Sequence, residues 1–159
     1  MNFLWKTFLG QIIMTFLISM VPIIELRGAL PVATGAGLQW YIALPVAIIG
    51  NIVPVPFIII FIKAIFAWMR SANGFFGKIV DRLEKKAFSK RATIDKYGPW
   101  GLWLFVAIPL PGTGAWTGAL IAALLDIPLK KSFPAIAVGV LTAGIIMAFV
   151  SYGAAALIF

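Results

Sequence analysis

The chain has 159 residues, 62% of them hydrophobic and only 11% charged, with a mean hydropathy of +1.05. Soluble domains carry roughly 25% charged residues, yet the blocks 7–24, 28–62, 97–125 and 132–159 contain no Asp, Glu, Lys or Arg. A soluble enzyme, a disulfide scaffold and a disordered chain are excluded, and an all-α integral membrane bundle remains, each crossing needing about 20 apolar residues.

The net charge of +8 does not point to nucleic acid. Arg70, Lys78, Arg82, Lys85, Lys86, Lys90, Arg91 and Lys96 fall in one stretch between apolar blocks. A basic loop between spans is the mark of the cytoplasmic side. Cys and His are both absent, which removes thiol chemistry and the usual zinc or haem ligand sets. No cofactor or metal is expected.

The segment Met1 to Met20 lacks a small-residue cleavage site and reads as a membrane segment rather than a signal peptide. Residues 7–21 are helical in character until Pro22 interrupts, and Glu25-Leu26-Arg27-Gly28-Ala29-Leu30-Pro31 follows. The run from Pro22 to Thr34 reaches only ~20 Å as helix, against a hydrocarbon core of about 30 Å. It therefore forms a re-entrant hairpin with the segment before it. Residues 41–69 are long enough to cross, with kinks expected at Pro45, Pro54 and Pro56.

The linker comes next. Phe76, Ile79, Val80, Leu83 and Ala87 recur at helical spacing opposite Lys78, Arg82, Lys85 and Lys86. That pattern predicts an amphipathic helix, either lying on the cytoplasmic leaflet against anionic headgroups or serving as a solvated connector.

In block 97–125, Pro109-Leu110-Pro111-Gly112-Thr113-Gly114 breaks any helix. The two flanking pieces, each about 12 residues, reach only ~18 Å and predict a second hairpin. Lys130 and Lys131 then share a face with the basic loop, as a segment entering and leaving by one side requires. Residues 132–158 are long enough to cross. Trp5, Trp40, Trp68, Trp100 and Trp103 fall near segment ends as anchors, whereas Trp116 sits inside the second hairpin, to pack or to line a cavity.

The order of hairpin then span occurs twice. Gly28-Ala29-Leu30 matches Gly118-Ala119-Leu120 at an offset of 90, and Pro22, Pro45 and Gly50 match Pro111, Pro134 and Gly139 at 89. The expectation is two inverted repeats, 1–69 and 98–159, joined by the linker 70–97 in a single membrane domain. Secondary transporters use that architecture, with the site between broken segments near mid-membrane.

Ionisable residues are scarce in these segments. Lys63 and Asp126 sit near ends, where water reaches them. Glu25 and Arg27 lie in the broken part of the first hairpin, where a charge costs about 2.5–3.5 kcal/mol at mid-membrane. Positions i and i+2 of a regular helix point apart, so the two pair only if the backbone is unwound after Pro22. Either they form a structural pair, or Arg27 binds an anion while Glu25 titrates and couples transport to protons. In the second hairpin, Gly112-Thr113-Gly114 offers backbone N–H groups and a hydroxyl N-cap at the start of a half-helix, suited to a carboxylate or phosphate, unless it is a simple tight turn. Gly114, Gly118, Ala122 and Ala123 allow close helix contact. The candidate binding and coupling residues are thus Glu25, Arg27, Pro111, Gly112, Thr113 and Gly114, with no catalytic set among them.

The stretch Glu25 to Pro31 and the stretch Pro109-Leu110-Pro111-Gly112-Thr113-Gly114-Ala115-Trp116-Thr117-Gly118-Ala119 resemble the bacterial small multi-drug export proteins. That family looks like a distant relative of the DedA membrane proteins. The resemblance implies two facing re-entrant hairpins in the bacterial inner membrane. It also implies ion-coupled translocation of an amphipathic substrate, such as a polyprenyl-phosphate lipid carrier. DedA-type proteins carry charges in both hairpins, and here the second has none, so the carry-over is limited to Glu25, Arg27 and the break at Pro111 to Gly114. Two other roles compete: export of lipophilic cations with Glu25 as the exchanging acid, and a non-transporting membrane scaffold. Membrane lipids and a second copy of the chain are the expected partners.

Overall fold

Proline and glycine set the boundaries of the helices. A computed structural model describes residues 6–72 and 74–158; Trp5, expected as an anchor, lies outside them. Helix α1 (Phe8–Met20) begins at Thr7, whose hydroxyl accepts from the Gly10 N–H at 3.3 Å, and stops ahead of Pro22. Then come α2 (Glu25–Gly35), α3 (Trp40–Ile52) and α4 (Pro54–Ala72). The seam between α3 and α4 falls where Pro54 begins a new helix, and Pro45 is carried inside α3. Next are α5 (Gly74–Phe88), α6 (Arg91–Tyr97), α7 (Pro99–Ala107), α8 (Ala115–Leu124) and α9 (Leu129–Ile158). No strand occurs among the described residues.

Length divides these helices into two kinds. Trp40–Ala72 runs 33 residues through the α3–α4 seam, and Leu129–Leu157 runs 29. At 1.5 Å per residue both exceed the ~30 Å core of a bilayer. Helices α1, α2, α7 and α8 have 9 to 13 residues and reach at most ~20 Å. Each half of the chain thus supplies two short helices and one long one.

Packing follows the same division. Helix α1 lies against α3, and α7 lies against α9, each within its own half. The second short helix of each half also reaches across: α2 packs on α9, and α8 on α4. Glycine makes the two within-half contacts close. A Cβ on Gly50 would collide with Ser19 Oγ and come 2.6 Å from the Phe16 carbonyl oxygen. On Gly139 it would come 2.7 Å from Val106 Cβ and 3.0 Å from the Trp103 carbonyl oxygen. These are the two glycines that the offset of 89 pairs, and they do the same job. Helix α8 is lined for contact by Ala115, Gly118, Ala119, Ala122 and Ala123, all buried.

The linker is not laid out as its periodicity alone implies. Val80 and Ala87 are buried in the protein, and Leu83 is half-buried, because α5 packs on α4 and α8. Arg70 at the end of α4 holds it there through Asp81 (3.0 Å) and Glu84 (2.6 Å). The apolar face thus serves the bundle along its middle, while Phe75 and Phe76 at one end and Phe88 at the other are left exposed.

Gly50→Ala and Gly139→Ala should each cost about 1–3 kcal/mol by overpacking. Gly153→Ala, where a Cβ meets nothing, should be neutral or gain up to ~1 kcal/mol in helix propensity. Thermal unfolding of the three purified variants in one detergent checks the order.

Candidate functional site

The first break unwinds the chain as Pro22 requires. Ile23 has φ +77° and Glu25 φ +50°, conformations that an L-residue adopts at a cost of order 1–3 kcal/mol. The left-handed turn brings Glu25 and Arg27 to one side of α2. Their pairing, forbidden on a regular helix, follows: Arg27 Nη1 donates to Glu25 Oε2 at 3.1 Å.

Neither side chain stops at the other. The Glu25 carboxylate, 3% exposed as a residue, sits on the N-terminus of α8. The Ala115 N–H donates to Oε2 at 3.2 Å and the Trp116 N–H to Oε1 at 3.0 Å. Arg27 Nη2 turns to the end of α7, within hydrogen-bond distance of the carbonyl oxygens of Val106 (3.2 Å), Ile108 (2.9 Å) and Thr113 (3.0 Å), and 3.3 Å from Thr113 Oγ1. The anion lies at the positive end of one half-helix, and the cation lies at the negative end of the other. Both placements are favourable, and both satisfy backbone groups that a helix end leaves unpaired.

Gly114 makes this contact possible. A Cβ there would overlap the Glu25 carboxylate, so the N-cap position of α8 must be bare. The expectation that Thr113 caps this helix is corrected: α8 starts at Ala115, and no side chain of the cap residue bonds its N–H groups. The Thr113 hydroxyl points back instead, 2.7 Å from the Ile108 carbonyl oxygen and 2.8 Å from that of Leu110. With Glu25 on the N–H groups, the hydroxyl is left to close the turn.

A cavity of about 410 Å³ opens beside the pair. Its walls are apolar, with Ile58, Ile62 and Phe66 from α4, Leu83 from α5 and Leu120 from α8. Its polar end holds Glu25, Arg27, Gly112, Gly114 and Lys86. Trp116 lines it too, anchored by its Nε1 donating to the Met20 carbonyl at 3.0 Å. Of the six candidate residues, four meet at the cavity. Thr113 acts from behind through Arg27, while Pro111 is exposed in the turn between α7 and α8. Lys63 and Asp126 pair with one another on the surface, away from the cavity lining.

Two residues of the site were not singled out by the sequence. Asn51 is 1% exposed on α3, its side chain close to the Glu25 carboxylate, and its Oδ1 has no partner among the described residues. A buried amide in an otherwise charge-free apolar block was a readable signal, because unpaired polar groups there are costly. Lys86 carried none, being one of many basic residues in the linker. Among the described residues there is no cluster of His, Cys, Asp and Glu able to hold a metal.

A family model described as "Putative small multi-drug export protein" matches residues 25–146, from Glu25 at the start of α2 through the second break into α9. No curated protein and no solved structure gives a significant match to the chain.

Arg27→Ala should cost about 3–5 kcal/mol, because it leaves a buried carboxylate and the carbonyls of α7 unmatched. Arg27→Lys should restore little of it, since an ammonium cannot span both Glu25 and the carbonyls as the planar fork does. Thermal unfolding of these variants beside wild type measures the difference.

Proposed function

Since the chain belongs to the small multi-drug export family, we propose that it is a bacterial inner-membrane exporter of an amphipathic molecule with an anionic head. The observation that carries this reading is the cavity: apolar walls leading to a polar end that holds two cations, Arg27 and Lys86, against one carboxylate. The two half-helix pairs are read as facing re-entrant hairpins of an inverted repeat. Support comes from the paired glycines Gly50 and Gly139 and the crossed packing of α2 and α8. Broken backbone at membrane depth is tolerated where protein covers it, as Glu25 and Arg27 cover the second break.

In this reading Glu25 holds the place of the substrate. A phosphate or carboxylate head takes the N–H groups of Ala115 and Trp116, and Glu25 leaves them, taking up a proton. The exchange couples the anion to the proton and keeps the charge of the site balanced. The apolar tail lies along Ile58, Ile62 and Phe66, and a polyprenyl phosphate or a similar lipid carrier fits that division. The basic linker faces the cytoplasm. A second copy against the exposed stripe Val138, Leu141, Ile145 and Phe149 of α9 would form the expected dimer.

One observation favours a second reading. Glu25 is the one carboxylate lining the cavity among the described residues, and the family's description speaks of drugs. A lipophilic cation exchanging with a proton on Glu25 would use the same walls.

The two readings separate by ligand. Thermal shifts of the purified protein with dodecyl phosphate and with dodecyltrimethylammonium should differ. An excess of about 100-fold over Kd stabilises by ~2.7 kcal/mol. Stabilisation by the phosphate alone is expected; stabilisation by the ammonium alone, lost in Glu25→Gln, would replace this reading with cation export.

A further inference from the structure

The linker helix contributes to the site a cation that no ion pair occupies. Lys86 follows Leu83 by one turn on α5, so the two residues offer the cavity an apolar contact and an ammonium in register. Lys86 Nζ lies 3.2 Å from where a Cβ on Gly112 would stand, over the turn that leads into α8. Among the described residues Lys63 pairs with Asp126, Arg70 with Asp81 and Glu84, Arg91 with Asp95, and Arg27 with Glu25. Lys78, Arg82 and Lys85 on the same helix are as unpaired as Lys86, and of these four Lys86 alone lines the cavity. Lys90 and Lys96 sit over the rings of Phe105 and Tyr97. Lys86 faces the cavity with none of these.

Arg27 can serve only part of a headgroup, through its buried Nε, which has no partner among the described residues, and through Nη1 once Glu25 moves away. Its Nη2 is held by the carbonyls of α7 and its Nη1 by Glu25. The one proton taken up by Glu25 balances a single negative charge, so the second charge of a dianionic head needs a further cation long enough to reach its outer oxygens. An ammonium on a flexible stem supplies one.

We propose that Lys86 is a headgroup-binding residue, and that α5 is a wall of a site for phosphate monoesters of long apolar chains. The inference rests on the anionic-head reading above. It assigns the phosphate monoester class because two cations and the N–H groups of α8 converge where a monoanionic carboxylate needs fewer. Leu83 and Lys86 then act together, the first on the chain and the second on the phosphate.

The test is isothermal titration of dodecyl phosphate into the full-length protein in a non-ionic detergent, with inorganic phosphate as the headgroup alone. Lys86 is exposed, so Lys86→Gln should fold as wild type does. It should weaken dodecyl phosphate binding about tenfold, the loss of one charge-assisted hydrogen bond. Lys85→Gln, next to it but outside the cavity lining, should stay within about twofold. Unchanged affinity in Lys86→Gln, with wild-type binding intact, would overturn the role of Lys86 and leave the function standing. An equal loss in Lys85→Gln would reduce the effect to general surface charge and overturn it too. Binding of dodecyltrimethylammonium and not of dodecyl phosphate by wild type would overturn both.

Discussion

A helix broken inside an apolar protein leaves N–H groups at one cut end and carbonyls at the other. Water is not there to take them, and each unpaired group costs on the order of 1–3 kcal/mol. The break between α7 and α8 is answered by two side chains from the other half of the chain. Glu25 takes the N–H groups of Ala115 and Trp116, and Arg27 takes the carbonyls of Val106, Ile108 and Thr113. The rest of the bundle is arranged to make that exchange possible. The left-handed turn at Ile23 and Glu25 aims the pair, and the bare Gly114 admits the carboxylate. The crossed packing of α2 on α9 and α8 on α4 brings the two breaks together.

The same arrangement explains how a structural pair can also be a working one. A buried ion pair is weak evidence for stability, since desolvation offsets much of its attraction. Here it borders a cavity of about 410 Å³ rather than a packed core. A carboxylate on a helix N-terminus next to such a cavity occupies the place that an external anion would take. The scaffold and transport hypotheses are therefore two uses of one contact. What distinguishes them is whether Glu25 gives up its N–H partners to a ligand.

Much of the fold was legible, for reasons that are local. Proline lacks the N–H that a helix interior needs, so Pro22 and the stretch Pro109 to Gly114 marked the breaks. Their spacing gave helices too short to cross, as α1, α2, α7 and α8 are. The scarcity of charge singled out Glu25 and Arg27. The partners of that pair were not legible, because the contacts reach across 79 to 91 positions and nothing local records them. Thr113 illustrates the point: its type and place suit an N-cap, but a carboxylate from another helix took the N–H groups first. Lys86 looked like its basic neighbours in the linker until the packing of α5 turned it toward the cavity. Asn51 could have been found, as a buried amide in a charge-free block.

The central claim is that Glu25 rests on the α8 N-terminus and yields it to an anion. The chain has two glutamates, Glu25 and Glu84, so Glu84→Gln protein grown with carboxyl-13C glutamate carries one labelled side chain. Its 13C carboxyl resonance should show a hydrogen-bonded group without ligand and shift on addition of dodecyl phosphate, saturating with binding. A resonance that stays in place while dodecyl phosphate saturates the protein would contradict the account, leaving the pair as structure alone.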